Sequence, residues 1–186
     1  KAGKKSVEGS SKPSVPLRLN EIGQDNRGRI ELLDKELNRV LGNGLVKGSA
    51  VLIGGEPGIG KSTLLLQISL EMKGKVLYVS GEESLEQIKL RADRIEHDEN
   101  DCFLLSETET DNILKAAKEV EPDLLIIDSV QTLYSSVLDS PAGSVSQIKQ
   151  STAEIIHYTK SRGIPVMLIG HITKEGQLAG PKVLEH

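Results

Sequence analysis

Gly55-Glu56-Pro57-Gly58-Ile59-Gly60-Lys61-Ser62-Thr63 is the stretch that decides the fold. Its form, G-x-x-x-x-G-K-[ST], is that of a phosphate-binding loop, which requires a strand before it and a helix after it. Ahead of it, Ser49 to Ile53 is a short, largely apolar run of the kind a buried parallel strand shows. Behind it, Lys61 to Lys73 carries Leu64, Leu65, Leu66, Ile68, Leu70 and Met72, and Gly74 stands where a helix stops. In such a loop glycines let backbone N–H groups turn toward phosphate oxygens, and the helix N-terminus adds a positive dipole. Lys61 is the residue type that reaches the β- and γ-phosphates, Ser62 the one that ligates Mg²⁺, and Thr63 adds a hydroxyl near the α-phosphate. A chance match of the four fixed positions is expected in about one in a hundred chains of this length. The stretch therefore predicts binding of a nucleoside triphosphate with Mg²⁺.

Working outward, 186 residues suit one domain with a sizeable core. With 37% hydrophobic and 27% charged residues, the chain reads as soluble and globular. One Phe, three Tyr and no Trp leave that core to Leu, Ile and Val. The net charge of −4 gives no overall electrostatic footprint for nucleic acid, although it does not exclude a local basic groove. The single cysteine, Cys102, excludes an internal disulfide and a cysteine-based zinc site, and its neighbours Phe103, Leu104 and Leu105 mark it as a buried structural thiol. No apolar run approaches the roughly 20 residues of a membrane span, and the basic start is not followed by a signal-peptide core. A cytoplasmic protein is expected.

Residues 1–16 are rich in Lys, Ser, Gly and Pro and read as a linker ahead of a domain over 17–186. Leu17-Arg18-Leu19 reads as a short extended piece. Ile30 to Leu41 reads as a short helix with Leu33, Leu37, Val40 and Leu41 on one side, ended by Gly42-Asn43-Gly44. Beyond the phosphate loop, strands are expected at Lys75 to Ser80, Cys102 to Leu105, Leu124 to Asp128 and Pro165 to Ile169. Between them lie a helix opened by a Ser84–Gln87 capping box, a second over Thr110 to Val120, and a third opened by a Ser144–Gln147 box and stopped by Gly163. Glu96 to Asp101, Ser135 to Gly143 and Ile172 to Pro181 read as loops. Strands alternating with helices predict an α/β fold, a mainly parallel sheet with helices on both faces.

Ligands of open parallel sheets sit at the carboxyl ends of the strands. Asp128 ends the most apolar strand and is placed where a magnesium-organising aspartate of a nucleotide hydrolase belongs. An ordinary helix-capping acid is the alternative, and the phosphate loop earlier in the chain weighs against it. Glu82 and Glu83 follow the second strand; either could orient the water attacking a γ-phosphate, or serve only as dipole-favoured acids before a helix. Glu82, two residues past the strand end, is the better placed to reach inward, but the residues alone do not choose. His171 ends the last strand, where a γ-phosphate sensor sits or an ordinary loop histidine would. His97 and His157 have no partners at ligand spacing. No Asn-Lys-x-Asp signature and no Asp-x-x-Gly after the fourth strand is present, which argues for adenine over guanine.

Taken in order, the phosphate loop with Leu64-Leu65-Leu66-Gln67, then Tyr78-Val79-Ser80-Gly81-Glu82-Glu83-Ser84, Leu125-Ile126-Ile127-Asp128-Ser129-Val130-Gln131-Thr132 and Gly170-His171-Ile172-Thr173-Lys174-Glu175-Gly176 resemble the RadA/Sms family of bacterial DNA repair proteins. The resemblance covers roughly Leu17 to His186 and is most specific after Gly44. It implies a RecA-like P-loop NTPase core that hydrolyses ATP to ADP with Mg²⁺, binds single-stranded or branched DNA, drives branch migration in homologous recombination, cooperates with the RecA recombinase and forms hexameric rings. It implies Glu82 as catalytic glutamate, Lys61 in charge stabilisation, Ser62 and Asp128 as metal ligands, and His171 as sensor. It also implies Ser135 to Gly143 and Lys174 to Pro181 as DNA-facing loops, and leaves Arg91 and Arg94 between a place near the nucleotide or a neighbouring subunit and a solvated helix face. The family's four-cysteine zinc module, its Lys-Asn-Arg-Phe-Gly motif and its Lon-protease-like domain are not in this sequence, so the resemblance identifies an ATPase core alone. A KaiC-like nucleotide-dependent assembly switch is the rival reading, and a small-molecule kinase a third.

Overall fold

The computed structural model describes residues 16, 18–21, 28–95 and 101–171. Leu17, the expected linker over 1–16 apart from Pro16, the expected loop from Glu96 to Asp101 with His97 but apart from Asp101, and the expected loop from Ile172 to Pro181, with its DNA-facing part from Lys174, lie outside the described residues. Among the described residues five α-helices, α1 (Lys35–Val40), α2 (Lys61–Glu71), α3 (Leu85–Ala92), α4 (Thr110–Val120) and α5 (Val145–Arg162), alternate with five strands, β1 (Ala50–Gly55), β2 (Val76–Ser80), β3 (Cys102–Ser106), β4 (Leu124–Asp128) and β5 (Val166–His171). The strands form one sheet in the order β1-β5-β4-β2-β3, and every adjacent pair is parallel.

Strand periodicity sorts the apolar residues onto two faces. Val76, Tyr78, Leu124, Ile126, Met167 and Ile169 pack with Leu65, Leu66 and Ile68 of α2, Ile88 of α3 and Leu37 of α1. Their immediate neighbours Leu77, Val79, Leu125, Ile127, Val166 and Leu168 pack with Ile113 and Ala117 of α4 and Ile148 and Ile155 of α5. The expected two-sided parallel sheet is thus present, and β2 and β4 are buried along their whole length. Strand β1 differs from the buried strand its sequence suggests. Among the described residues it pairs only with β5, and Val51, Leu52 and Ile53 are half-buried.

Three local expectations need correction. The helix foreseen over Ile30 to Leu41 begins only at Lys35, where the Asp34 carboxylate accepts from Leu37 N at 2.7 Å. Ahead of it, Ile30 exchanges backbone hydrogen bonds with Leu45, so Leu32 enters the core while Leu33 and Val40 are exposed. Of the short extended piece expected over Leu17 to Leu19, Leu19 instead opens a 3-10 turn, Leu19–Glu21. The Ser84–Gln87 capping box is complete, but the one expected at Ser144 is only half made. Ser144 accepts from Gln147 N, whereas its own N–H goes to Pro141 O.

The freed Gln147 side chain is buried and turns to the loop at 135–143 instead. Its Oε1 accepts from Ser135 N at 2.7 Å, and its Nε2 donates to the carbonyls of Ser135, Leu138 and Ser140 at 3.2, 3.1 and 3.0 Å. Glu154, one turn pair further along α5, accepts from Ser135 Oγ and Thr110 Oγ1 and secures the same segment. Cys102 is half-buried in β3 against the core, and burial pushes its thiol up to about 11.

Two outcomes follow from these contacts. Gln147→Ala leaves the buried Ser135 N–H and the half-buried carbonyls of Leu138 and Ser140 without these partners and should lower unfolding free energy by about 2–3 kcal/mol, read by urea denaturation, with faster proteolysis within 135–143. The Cys102 thiol is neutral in the folded chain to higher pH than its ordinary value of 9.0. Its contribution to stability is therefore present below pH 9.0 and lost as pH rises to about 11; native-state alkylation should stay slow at neutral pH and accelerate only across that window.

Candidate nucleotide site

The carboxyl ends of four strands finish in phase. Gly55, His171, Asp128 and Ser80 each continue the alternate positions whose side chains face α2: Val51 and Ile53, Met167 and Ile169, Leu124 and Ile126, Val76 and Tyr78. Register completes the alignment, with Gly55 opposite His171 and Ser80 opposite Asp128. Because β5 lies between β1 and β4, His171 stands between the phosphate loop and the acid strand.

The loop itself is built by backbone rotation. Gly58 and Gly60 sit at φ of +80° and +100°, where side-chain-bearing residues are strained. Gly55 is favoured for a different reason: a Cβ there would lie 3.2 Å from Ile59 Cγ2 and 3.3 Å from Lys61 Cδ, so both side chains would have to give by a few tenths of an ångström. The N-cap of α2 is Gly60, which has no side chain to cap the helix, so the N–H groups of its first turn can take an anion. The buried Lys61 ammonium donates to the carbonyls of Gly55 at 2.9 Å and Glu56 at 2.8 Å, which fixes a positive charge inside the loop.

Asp128 is 5% exposed, and its Oδ2 accepts from the Tyr78 hydroxyl at 2.6 Å. The same hydroxyl lies 3.5 Å from the Ser62 carbonyl, so Asp128 and the first turn of α2 are neighbours across one phenol oxygen. Burial, then the Asp128 charge and hydrogen bond, push the Tyr78 hydroxyl far above its ordinary value, so it remains a donor. No described residue donates to Asp128 Oδ1. A buried acid with one oxygen held, beside a serine opening the helix, fits Mg²⁺, which takes one or two protein ligands and completes its shell from phosphates and water.

The two glutamates after β2 part company. Glu82 Oε1 accepts from Ser129 Oγ at 2.7 Å and lies 3.3 Å from His171 Nε2. Glu83 turns the other way and pairs with Arg91 Nη1 of α3 at 2.8 Å. Ser80 Oγ accepts from the N–H groups of both and sets the turn. Lys61, Ser62, Asp128, Glu82 and His171 are therefore gathered at one end of the sheet, while Arg94 is exposed and His157 lies exposed on α5, away from the others. Sequence reading missed Ser129 and Tyr78 as members of this group. Ser129 was findable as the hydroxyl next to the strand-end acid; Tyr78 shares its strand face with Ser80, but its pairing with a residue fifty positions on has no local signal.

A phosphate loop between strand and helix, with an acid strand one place removed in a parallel sheet, defines a P-loop NTPase core. The family model described as "AAA domain" matches residues 16–177, and the chain belongs to that family. It is similar to "DNA repair protein RadA" of Bacillus subtilis, 50% identical over 97% of this chain and 40% of that protein. The proteins of the same name from Streptococcus pneumoniae and Chlamydia trachomatis are 49% and 47% identical over 92% and 95% of this chain. The chain spans about two fifths of the length of these curated relatives. Among solved structures it resembles one titled "The Structure Of A DnaB-Like Replicative Helicase And Its Interactions With Primase", with a TM-score of 0.66 at 15% identity over 84% of this chain and 47% of that one; the likeness is one of fold.

The turn that separates the two glutamates depends on Gly81. A Cβ at that position would lie 2.1 Å from Thr132 Oγ1, 2.6 Å from Thr132 Cβ and 2.8 Å from Thr108 Cγ2. Gly81→Ala should destabilise the chain by about 1–3 kcal/mol, read as a lowered Tm. It should also weaken hydrolysis by more than binding, because the displaced turn carries Glu82.

Proposed function

We propose that this chain is the ATPase core, over residues 17–186, of a DNA-dependent motor that acts in homologous recombination and DNA repair, driving branch migration with ATP and Mg²⁺. The observation that carries the hydrolytic reading is the Glu82 carboxylate, which is joined to Ser129 and His171 at the strand ends beside the phosphate loop while Glu83 is tied to Arg91. What supports the DNA-repair reading is similarity to RadA proteins across nearly the whole chain.

In this reading the loop amides from Gly55 to Thr63 and the Lys61 ammonium bind the phosphates and take up charge that develops on transfer. Ser62 and Asp128 are the residues that hold Mg²⁺, which neutralises the β- and γ-phosphate oxygens when bound. Glu82 accepts the proton of, or orients, the attacking water, with Ser129 fixing one carboxylate oxygen. His171, bonded to the same oxygen, links the state of that carboxylate to β5. The DNA partner is single-stranded or branched; the RecA recombinase and further copies of the chain in a hexameric ring are the protein partners, in the cytoplasm.

The test is ATP hydrolysis by the full-length protein with and without single-stranded DNA. Severalfold stimulation is expected; DNA-insensitive turnover would sink the motor reading and favour a KaiC-like assembly switch. Glu82→Gln should keep nucleotide binding and lower kcat by about 10²–10⁴-fold. If Glu83→Gln produces that loss instead, the assignment is wrong by one residue.

A further inference from the structure

Tyr78 is the one fully buried tyrosine of three, and its hydroxyl leaves the apolar core at the floor of the nucleotide site. A buried phenol needs a hydrogen-bond partner, and a backbone carbonyl anywhere nearby would satisfy that need. Here the partner is the strand-end acid, at 2.6 Å, and the next nearest acceptor is the carbonyl of Ser62 in the first turn of α2. Both acceptors belong to the pair of residues that fits Mg²⁺.

We infer that Tyr78 is a positioning residue for the divalent cation: its hydroxyl holds Oδ2 of Asp128, leaves Oδ1 as the oxygen offered to the metal, and keeps the carboxylate in register with Ser62. The inference rests on the assignment of Ser62 and Asp128 as the Mg²⁺ pair. Three features support it. A carboxylate that is 5% exposed, with Tyr78 as its one side-chain donor among the described residues, has its rotation limited chiefly by that bond. The ring is fully buried in the core cluster that also holds residues of α2 and α3, which limits how far the hydroxyl can follow a swinging carboxylate. Behind it, the Arg91–Glu83 pair stands close enough for both charges to act on the phenol, which joins α3 and the glutamate turn to the same point. Groups that orient a metal ligand from behind are worth about 10–100-fold in metal affinity.

The test uses the full-length protein and a fluorescent ADP analogue, titrated with Mg²⁺ and compared with binding in EDTA. Tyr78→Phe keeps the ring and removes only the hydroxyl. It should leave binding in EDTA within about twofold and raise the Mg²⁺ concentration for half-maximal enhancement by about tenfold or more. In an Asp128→Asn background the same change should add nothing. A midpoint within twofold of wild type would overturn the inference and leave Tyr78 a packing residue. A wild-type protein whose nucleotide binding ignores Mg²⁺, or whose Mg²⁺ response survives Asp128→Asn, would instead overturn the metal assignment itself, and this inference with it. A second readout is ¹³Cζ-tyrosine NMR of the full-length protein, with the Tyr78 signal assigned by its absence from the Tyr78→Phe spectrum. That signal should move when Mg²⁺ joins bound ADP and also on Asp128→Asn, and a signal indifferent to both overturns the proposal.

Discussion

Side chains on a strand alternate faces, and parallel strands in register keep that alternation in step. This constraint governs the whole molecule. Because β1, β5, β4 and β2 finish on residues of the same phase, Gly55, His171, Asp128 and Ser80 all face the layer that contains α2. A slip of β4 or β5 by one residue would send Asp128 or His171 toward α4 and α5. The burial that sets the register is that of ordinary Leu, Ile and Val side chains, so the hydrophobic core and the site geometry are fixed together.

The site divides into a rigid floor and an exposed rim. Lys61, Asp128 and Ser80 are buried, and each hydrogen-bonds to a neighbour that belongs to a strand end, a helix start or the glutamate turn. Glu82 and His171 stand nearer solvent, 47% and 25% exposed at their side chains, and meet over a longer contact of 3.3 Å. Groups that hold phosphate and metal gain from being fixed before the ligand arrives, whereas a group that handles water must stay accessible to it.

Much of this was legible in the sequence. The phosphate loop, the strands at 76–80 and 124–128 and the helices at 110–120 and 145–162 follow from local patterns of apolar residues, glycines and caps. What was not legible depended on partners distant in sequence. Leu33, Leu37, Val40 and Leu41 have helical spacing, but pairing of Ile30 with Leu45 claimed the first residues for an extended segment. Gln147 stands at the capping-box position, yet Pro141 had already taken the Ser144 N–H, which freed the glutamine for the loop. The choice between Glu82 and Glu83 had no sequence answer because Ser129 and Arg91, which draw them apart, come from different elements.

Gly81 does not occupy the left-handed region that favours glycine; it is required because Thr132 and Thr108 fill the space where a side chain would begin. The constraint is therefore mutual rather than conformational. Because Thr132 Cβ alone would lie 2.6 Å away, a lineage that trimmed Thr108 could place alanine at 81 only with glycine at 132 or a shift of the backbone there. Positions 81, 108 and 132 should accordingly drift as a set across related sequences, and the glycine's persistence records the bulk of its two neighbours.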